Sequence, residues 1–189
     1  MPMHDFPEIL SKATAAIESR YFQLPVQGKE QPIYRERVYC YELYHQMRKN
    51  WPDTQYVLNG EVDKNGHRII QGNGLSKTKP DFLVHTPGDM AGNFCIIEVK
   101  PVNAKANGIE KDLKTLTAYL HHGGYQHGVL LFYGHADPNR LIQKIQRIAK
   151  KFTRKIDLTR IVVLHHAVIA SRAEIIIKHN RPVKMEQEV

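Results

Sequence analysis

Asp81, Glu98 and Lys100 are the residues of this chain whose types and spacing can do chemistry. Asp81 follows Pro80 directly and precedes a short apolar run, Phe82-Leu83-Val84, and 16 residues separate it from Glu98. Thr86-Pro87-Gly88-Asp89 supplies turn residues, and Phe94 to Val99 is a second β-rich run, so the stretch from Lys79 to Pro101 reads as two strands of a hairpin. In the second strand Glu98 and Lys100 share one face while Val99 takes the other. A carboxylate and an ammonium leaving an apolar strand together need a partner, a metal or a cleft. Two carboxylates on neighbouring strands can hold a hard divalent cation such as Mg2+, which takes oxygen ligands and keeps several waters. A lysine beside it can orient or help deprotonate an attacking water and can offset phosphate charge. The layout suits metal-assisted hydrolysis of a phosphodiester; the plain alternative is a surface hairpin with a solvated Glu98–Lys100 pair.

Groups so placed need a sheet under them and helices to cover it. Asp5 can cap a helix from Phe6 to about Arg20, with Ile9, Leu10, Ala13, Ala16 and Ile17 as its buried stripe. Pro25, Gly28 and Pro32 break the pattern, and a second helix is expected from Ile33 to about Asn50. At ~100° per residue, Ile33, Cys40, Leu43, Tyr44 and Met47 cluster on one side of it. Glu36 falls inside that stripe, whereas Glu42 points toward Arg35, Gln46 and Lys49. A core-facing carboxylate calls for a partner, which a metal site would provide. An ion pair with Arg35 or Arg37 is the alternative, and Glu42 is the reserve should the helix be rotated.

A strand is expected over Gln55–Val62, with Glu61 near its end, then a turn at Asn65-Gly66 and a returning strand from His67 to Gln71. The Gly72–Lys79 stretch is a basic loop whose Lys77 and Lys79 can meet phosphates. Ile109 to Leu120 reads as a helix with Asn107 as a cap and Gly123 at its stop. Gly128 to Tyr133 is a buried strand, followed by a two-faced helix from Pro138 to about Ile156. Leu141, Ile145, Ile148 and Phe152 form its apolar stripe; Arg140, Lys144, Arg147, Lys151, Arg154 and Lys155 crowd the other side. Like charges at such spacing cost a few tenths of a kcal/mol per pair, which a bound polyanion would offset; a merely solvated face is the alternative. Strands at Ile161–Leu164 and Glu174–Ile177 and a polar tail after Pro182 complete the chain.

Composition fits such a molecule. The 189 residues suit one domain, and 42% hydrophobic with 24% charged residues is ordinary for a globular protein. A net charge of +8 and a pI near 9.5 favour an anionic partner, nucleic acid first. Cys40 and Cys95 both sit in apolar segments, as buried free thiols of a reducing compartment do. No signal peptide or membrane span is legible, so the expected location is cytoplasmic. The histidines lack zinc-ligand spacing, and no P-loop, GxGxxG or nucleophile–His–Asp order is present.

Pro80-Asp81 with Glu98-Val99-Lys100, set on two strands between suitable helices, resembles the PD-(D/E)xK nuclease superfamily over roughly Ile33 to Leu164. The resemblance implies an α/β, restriction-endonuclease-like fold, a central mixed β-sheet flanked by helices on both faces. It implies a Mg2+-dependent nuclease, with Mn2+ able to substitute, acting on DNA first. By that likeness Asp81, Glu98, the Val99 carbonyl and Glu36 are the metal ligands and Lys100 positions or activates water. In relatives a Gln or Lys and a Tyr on the helix after the motif strand support the site; Lys111, Lys114 and Tyr119 stand there, although no Gln does. Lys77, Lys79, Lys111, Lys114, Lys144, Arg147 and Lys151 are the expected nucleic-acid contacts. A binding module without turnover and a ribonuclease are the rival readings, and a second copy or a partner subunit could supply specificity.

Overall fold

The computed structural model describes residues 6–61, 75 and 78–178, with the backbone of 181–182. Among the described residues the α-helices and strands follow one another as α1 Phe6–Ala15, α2 Ser19–Phe22, α3 Glu36–Lys49, β1 Val57–Gly60, β2 Phe82–His85, β3 Asn93–Pro101, α4 Ala106–His122, β4 His127–Tyr133, α5 Pro138–Lys151, β5 Ile161–His166, β6 Glu174–Lys178 and β7 Arg181–Pro182. The strands form one mixed sheet in sequence order. β1, β2 and β3 run antiparallel, β3, β4 and β5 parallel, and β5, β6 and β7 antiparallel again.

Antiparallel neighbours need only short links, whereas each parallel step needs a crossover, and here α4 and α5 supply the two crossovers. Crossovers of one hand stepping the same way put both helices on one face of the sheet. Accordingly Ile109, Leu113 and Leu116 of α4 and Leu141, Ile145 and Ile148 of α5 share a core with Leu83, Ile96, Leu130 and Val163. The opposite core joins Phe6 and Leu10 of α1 and Tyr39, Leu43 and Met47 of α3 to Phe82, Val84, Ile97, Val99 and Leu131. Strand alternation thus sorts β3 between two layers: Ile96 faces α4 and α5, while Ile97 and Val99 face α1 and α3. The coarse expectation of an α/β mixed sheet with helices is met.

Several boundaries differ from expectation. The first helix stops at Ala15, with Ala16 exposed, and the chain turns again at α2. Ile33 pairs with Leu24 in an isolated bridge instead of opening the second helix, so Glu36 is that helix's first residue. α4 starts at Ala106 behind an extended Lys105, not at an Asn107 cap. α5 ends at Lys151, five residues short of Ile156, where Phe152 leaves helical geometry. A short β7 lies beyond the expected last strand. The expected Asp5 cap, the turn at Asn65-Gly66, the returning strand over 67–71, most of the 72–79 loop and the tail beyond residue 182 lie outside the described residues. Cys40 and Cys95 are both buried and free. No described helix is long and apolar enough to cross a membrane.

Candidate active site

Parallel β3, β4 and β5 end together, and crevices at the carboxyl ends of such strands are where open α/β sheets place their ligands. Glu98 and Lys100 lie at that end of β3. Because Ile96 faces α4, residues two and four further along face α4 as well. β2 runs the other way, with Phe82 opposite Ile97, so Asp81, one residue before β2, arrives beside Glu98. Its place on the same face follows from Leu83, two residues on, which belongs to the α4–α5 core. The expected shared face of Glu98 and Lys100, and the approach of Asp81 to it, are therefore what the strands deliver.

Asp81 is fixed by its backbone neighbour: its Oδ2 accepts the Val99 N–H at 2.7 Å. An extended residue turns its N–H and C=O to the same side of the strand. The Val99 carbonyl therefore faces the Asp81 side too, as the expected ligand role requires. The Asp81 and Glu98 carboxyls lie close enough for each to influence the ionisation of the other. Glu98 is only 6% exposed. Burial, and then the charge of Asp81, push its carboxyl well above the usual range, and burial lifts Asp81 to about 6 despite the Val99 N–H. Both carboxyls are therefore harder to ionise than free ones.

Lys100 completes the group from both layers. Its Nζ is 2.9 Å from Glu36 Oε2, which arrives from the first turn of α3. It is 3.1 Å from Asp112 Oδ2, on α4, a second ion pair from the opposite layer. Burial opposes the ammonium, yet Asp112, Glu36 and Asp81 together hold its pKa above the ordinary lysine value. Asp112, 4% exposed, is itself lifted to about 6 by burial against the pull of Lys100. Two carboxylates thus pair with the ammonium, and Asp81 and Glu98 stand close enough to feel its charge.

Asp112 is the residue the sequence reading missed. It stands three residues after Ile109 and four before Leu116, within the stripe that α4 buries. The same carboxylate-in-an-apolar-stripe signal that singled out Glu36 was present there. Glu42 also departs from expectation. It is 9% exposed rather than solvent-facing, and its Oε1 accepts from Gln46 Nε2 at 2.6 Å. It takes no part in the Lys100 cluster, so Glu36 is the acidic residue that α3 contributes. Glu61 pairs with Arg37 at 3.1 Å on the surface.

The expected nucleic-acid contacts divide. Lys79, Lys111, Arg147 and Lys151 are exposed. Lys114 instead pairs with Glu110 and lies 4.0 Å over the Phe152 ring. The Lys144 ammonium donates to the Ala104 carbonyl at 2.7 Å, tying α5 to the loop after β3. Lys77 lies outside the described residues. Tyr119 is buried, and its hydroxyl meets Thr78 Oγ1 at 3.3 Å, which anchors the segment leading to Asp81 on α4. An apolar cleft of about 350 Å³, lined by Phe6, Leu10, Cys95, Val129 and Leu164, lies apart from these carboxyls.

Among the described residues no three His, Cys, Asp or Glu side chains converge as a closed metal-ligand set. The oxygen donors of Asp81 and Glu98 nevertheless match a hard cation such as Mg2+, which needs only one or two carboxylates and otherwise keeps water and substrate phosphate. No family model, curated protein or solved structure matches the chain.

Proposed function

We propose that the chain is a divalent-metal-dependent nuclease that hydrolyses phosphodiester bonds, DNA being the first substrate class. The observation that carries this reading is the surplus of carboxyls at the carboxyl end of β3: buried Glu98 and Asp112 with part-buried Asp81 and Glu36 lie around a single ammonium, which pairs directly with Glu36 and Asp112. Such a surplus is unstable alone, and a bound dication is the simplest way to relieve it. Mg2+ or Mn2+, held by Asp81 and Glu98 with the Val99 carbonyl, would polarise a phosphoryl oxygen and acidify bound water.

The chain's own groups have distinct tasks. The Val99 N–H holds Asp81 in one orientation. Glu36 and Asp112 clamp Lys100 from opposite layers, so it stays charged and donates. A lysine held in its protonated form orients water or a phosphate oxygen and offsets developing charge; it does not accept a proton. Of the two expected roles for Lys100, positioning is favoured over activation. Exposed Arg147 and Lys151 on α5 supply charge for the phosphate backbone.

A second reading has its own support. The clamp that Glu36 and Asp112 place on Lys100 also suits a nucleic-acid-binding module without turnover. Incubating the chain with supercoiled, linear, branched and single-stranded DNA and with RNA, each with Mg2+ or Mn2+, separates the two. Metal-dependent cleavage that disappears in Asp81→Asn and Lys100→Met is expected. Binding without cleavage of any substrate would leave the module.

A further inference from the structure

The outward ridge of α3 is a second functional surface. Arg37, Tyr41, His45 and Arg48 are all exposed, and at 100° per residue they fall within about 80° of one another. The buried positions Tyr39, Cys40, Leu43 and Met47 lie on the opposite side, against the sheet. Along the axis, Arg37 and Arg48 are ~16 Å apart at ~1.5 Å per residue, with Tyr41 about 6 Å from Arg37. Tyr41 is 63% exposed, one of two large hydrophobic side chains so open among the described residues. A single exposed ring is ordinary on a protein surface; what marks this one is its place between two arginines, with Arg37 interacting with its hydroxyl.

The ridge begins at the carboxyl cluster. Glu36, next to Arg37, holds Lys100. Arg37 bonds Glu61, whose N–H donates to the Asp81 carbonyl at 3.2 Å, and it feels Asp81 itself. The ridge itself carries two arginines and a histidine; Arg37 is paired with Glu61 at one end while Arg48 is exposed at the other, so the remaining charge of the ridge is positive and complements a polyanion. An exposed ring flanked by guanidinium groups suits an unstacked base with phosphates on either side. A duplex, whose bases are already stacked, presents no such face to it.

We propose that the α3 ridge binds a single-stranded stretch of nucleic acid, Tyr41 stacking on a base and Arg37 and Arg48 holding adjacent phosphates, and leads that strand to the Asp81–Glu98 site. The proposal rests on the nuclease reading for its direction, since it makes the substrate one with a single-stranded portion. It concerns binding, and its test needs no turnover.

Fluorescence anisotropy of a labelled oligothymidylate, measured in EDTA, reads the ridge directly. Tyr41→Ala is expected to weaken binding about tenfold, while Tyr41→Phe and Tyr41→Trp stay within about twofold of the parent. Affinity for a duplex of equal length should change by less than about twofold in all three. Unchanged single-strand binding in Tyr41→Ala, or an equal loss on duplex, overturns the proposal, as does a parent chain that does not bind the oligonucleotide. A chain that shows the Tyr41 effect yet cleaves nothing with Mg2+ or Mn2+ loses the nuclease reading and keeps the ridge. One that cleaves while Tyr41→Ala binds normally loses the ridge alone.

Discussion

Lys100 is where the electrostatics of the site are concentrated. Removing one partner of a buried ion pair leaves the other uncompensated, a loss of about 3–5 kcal/mol when the carboxyl must stay charged. Asp112, lifted to about 6 by burial, can instead take a proton. A raised carboxyl keeps its proton in the folded chain after the unfolded chain has released it. Its effect on stability is therefore most favourable below the ordinary aspartate value of ~4, is lost as pH rises to about 6, and stays lost above. Lys100→Met should accordingly cost several kcal/mol at pH 8 and distinctly less at pH 5, by urea denaturation at both; equal losses would contradict the clamp. Glu98→Gln keeps a hydrogen-bonding group beside Asp81 but deletes a buried acid. Its melting temperature in EDTA near pH 7 should equal or exceed the parent's, and the rise that Mn2+ gives the parent should vanish. A clear fall in EDTA would mean that the Glu98 carboxylate itself stabilises the fold.

At the scale of the elements, much was legible because periodicity is local. Alternation along β3 assigned Glu98 and Lys100 to one face, and the helical stripe brought Glu36 inward. What the sequence hid is in part burial that polarity masks and in part partners far along the chain. Glu42 reads as solvent-facing from its polarity, yet it is buried with Gln46 as its bond partner. Asp112 was concealed by the lysines beside it, although its position in the stripe was readable. Lys144 looked like any cation of a basic face until the fold brought the Ala104 carbonyl to it. α5 can be divided on that basis. Charge reversal of Arg147 and Lys151 should leave stability within about 0.5 kcal/mol and reduce the salt dependence of nucleic-acid binding by about one phosphate each. Lys144→Glu should in addition lower stability by about 1 kcal/mol. An unchanged salt slope would remove α5 from the interface. The turn from β4 toward α5 is equally constrained: Gly134 has φ +117°, and a Cβ there would sit 2.7 Å from the Tyr34 ring. Its carbonyl also accepts from His165 Nε2 at 2.9 Å. Gly134→Ala should cost about 2 kcal/mol or more in chemical denaturation; a neutral change would show that this turn relaxes freely.

The whole molecule places opposite charges in different places. Its net charge of +8 belongs to the surface, while the carboxyls gather where the parallel strands end. Under the proposed nuclease reading, a polyanion attracted to that surface would meet carboxyls that repel it unless a cation stood between them. That arrangement makes metal binding the hinge of the account. Isothermal titration of Mn2+ into the parent chain and into Asp81→Asn and Glu98→Gln measures it most directly. One binding event in the parent, lost in both variants while their folds persist, is the predicted result; no binding heat in the parent, or heat that both variants retain, would contradict a metal centre between β2 and β3.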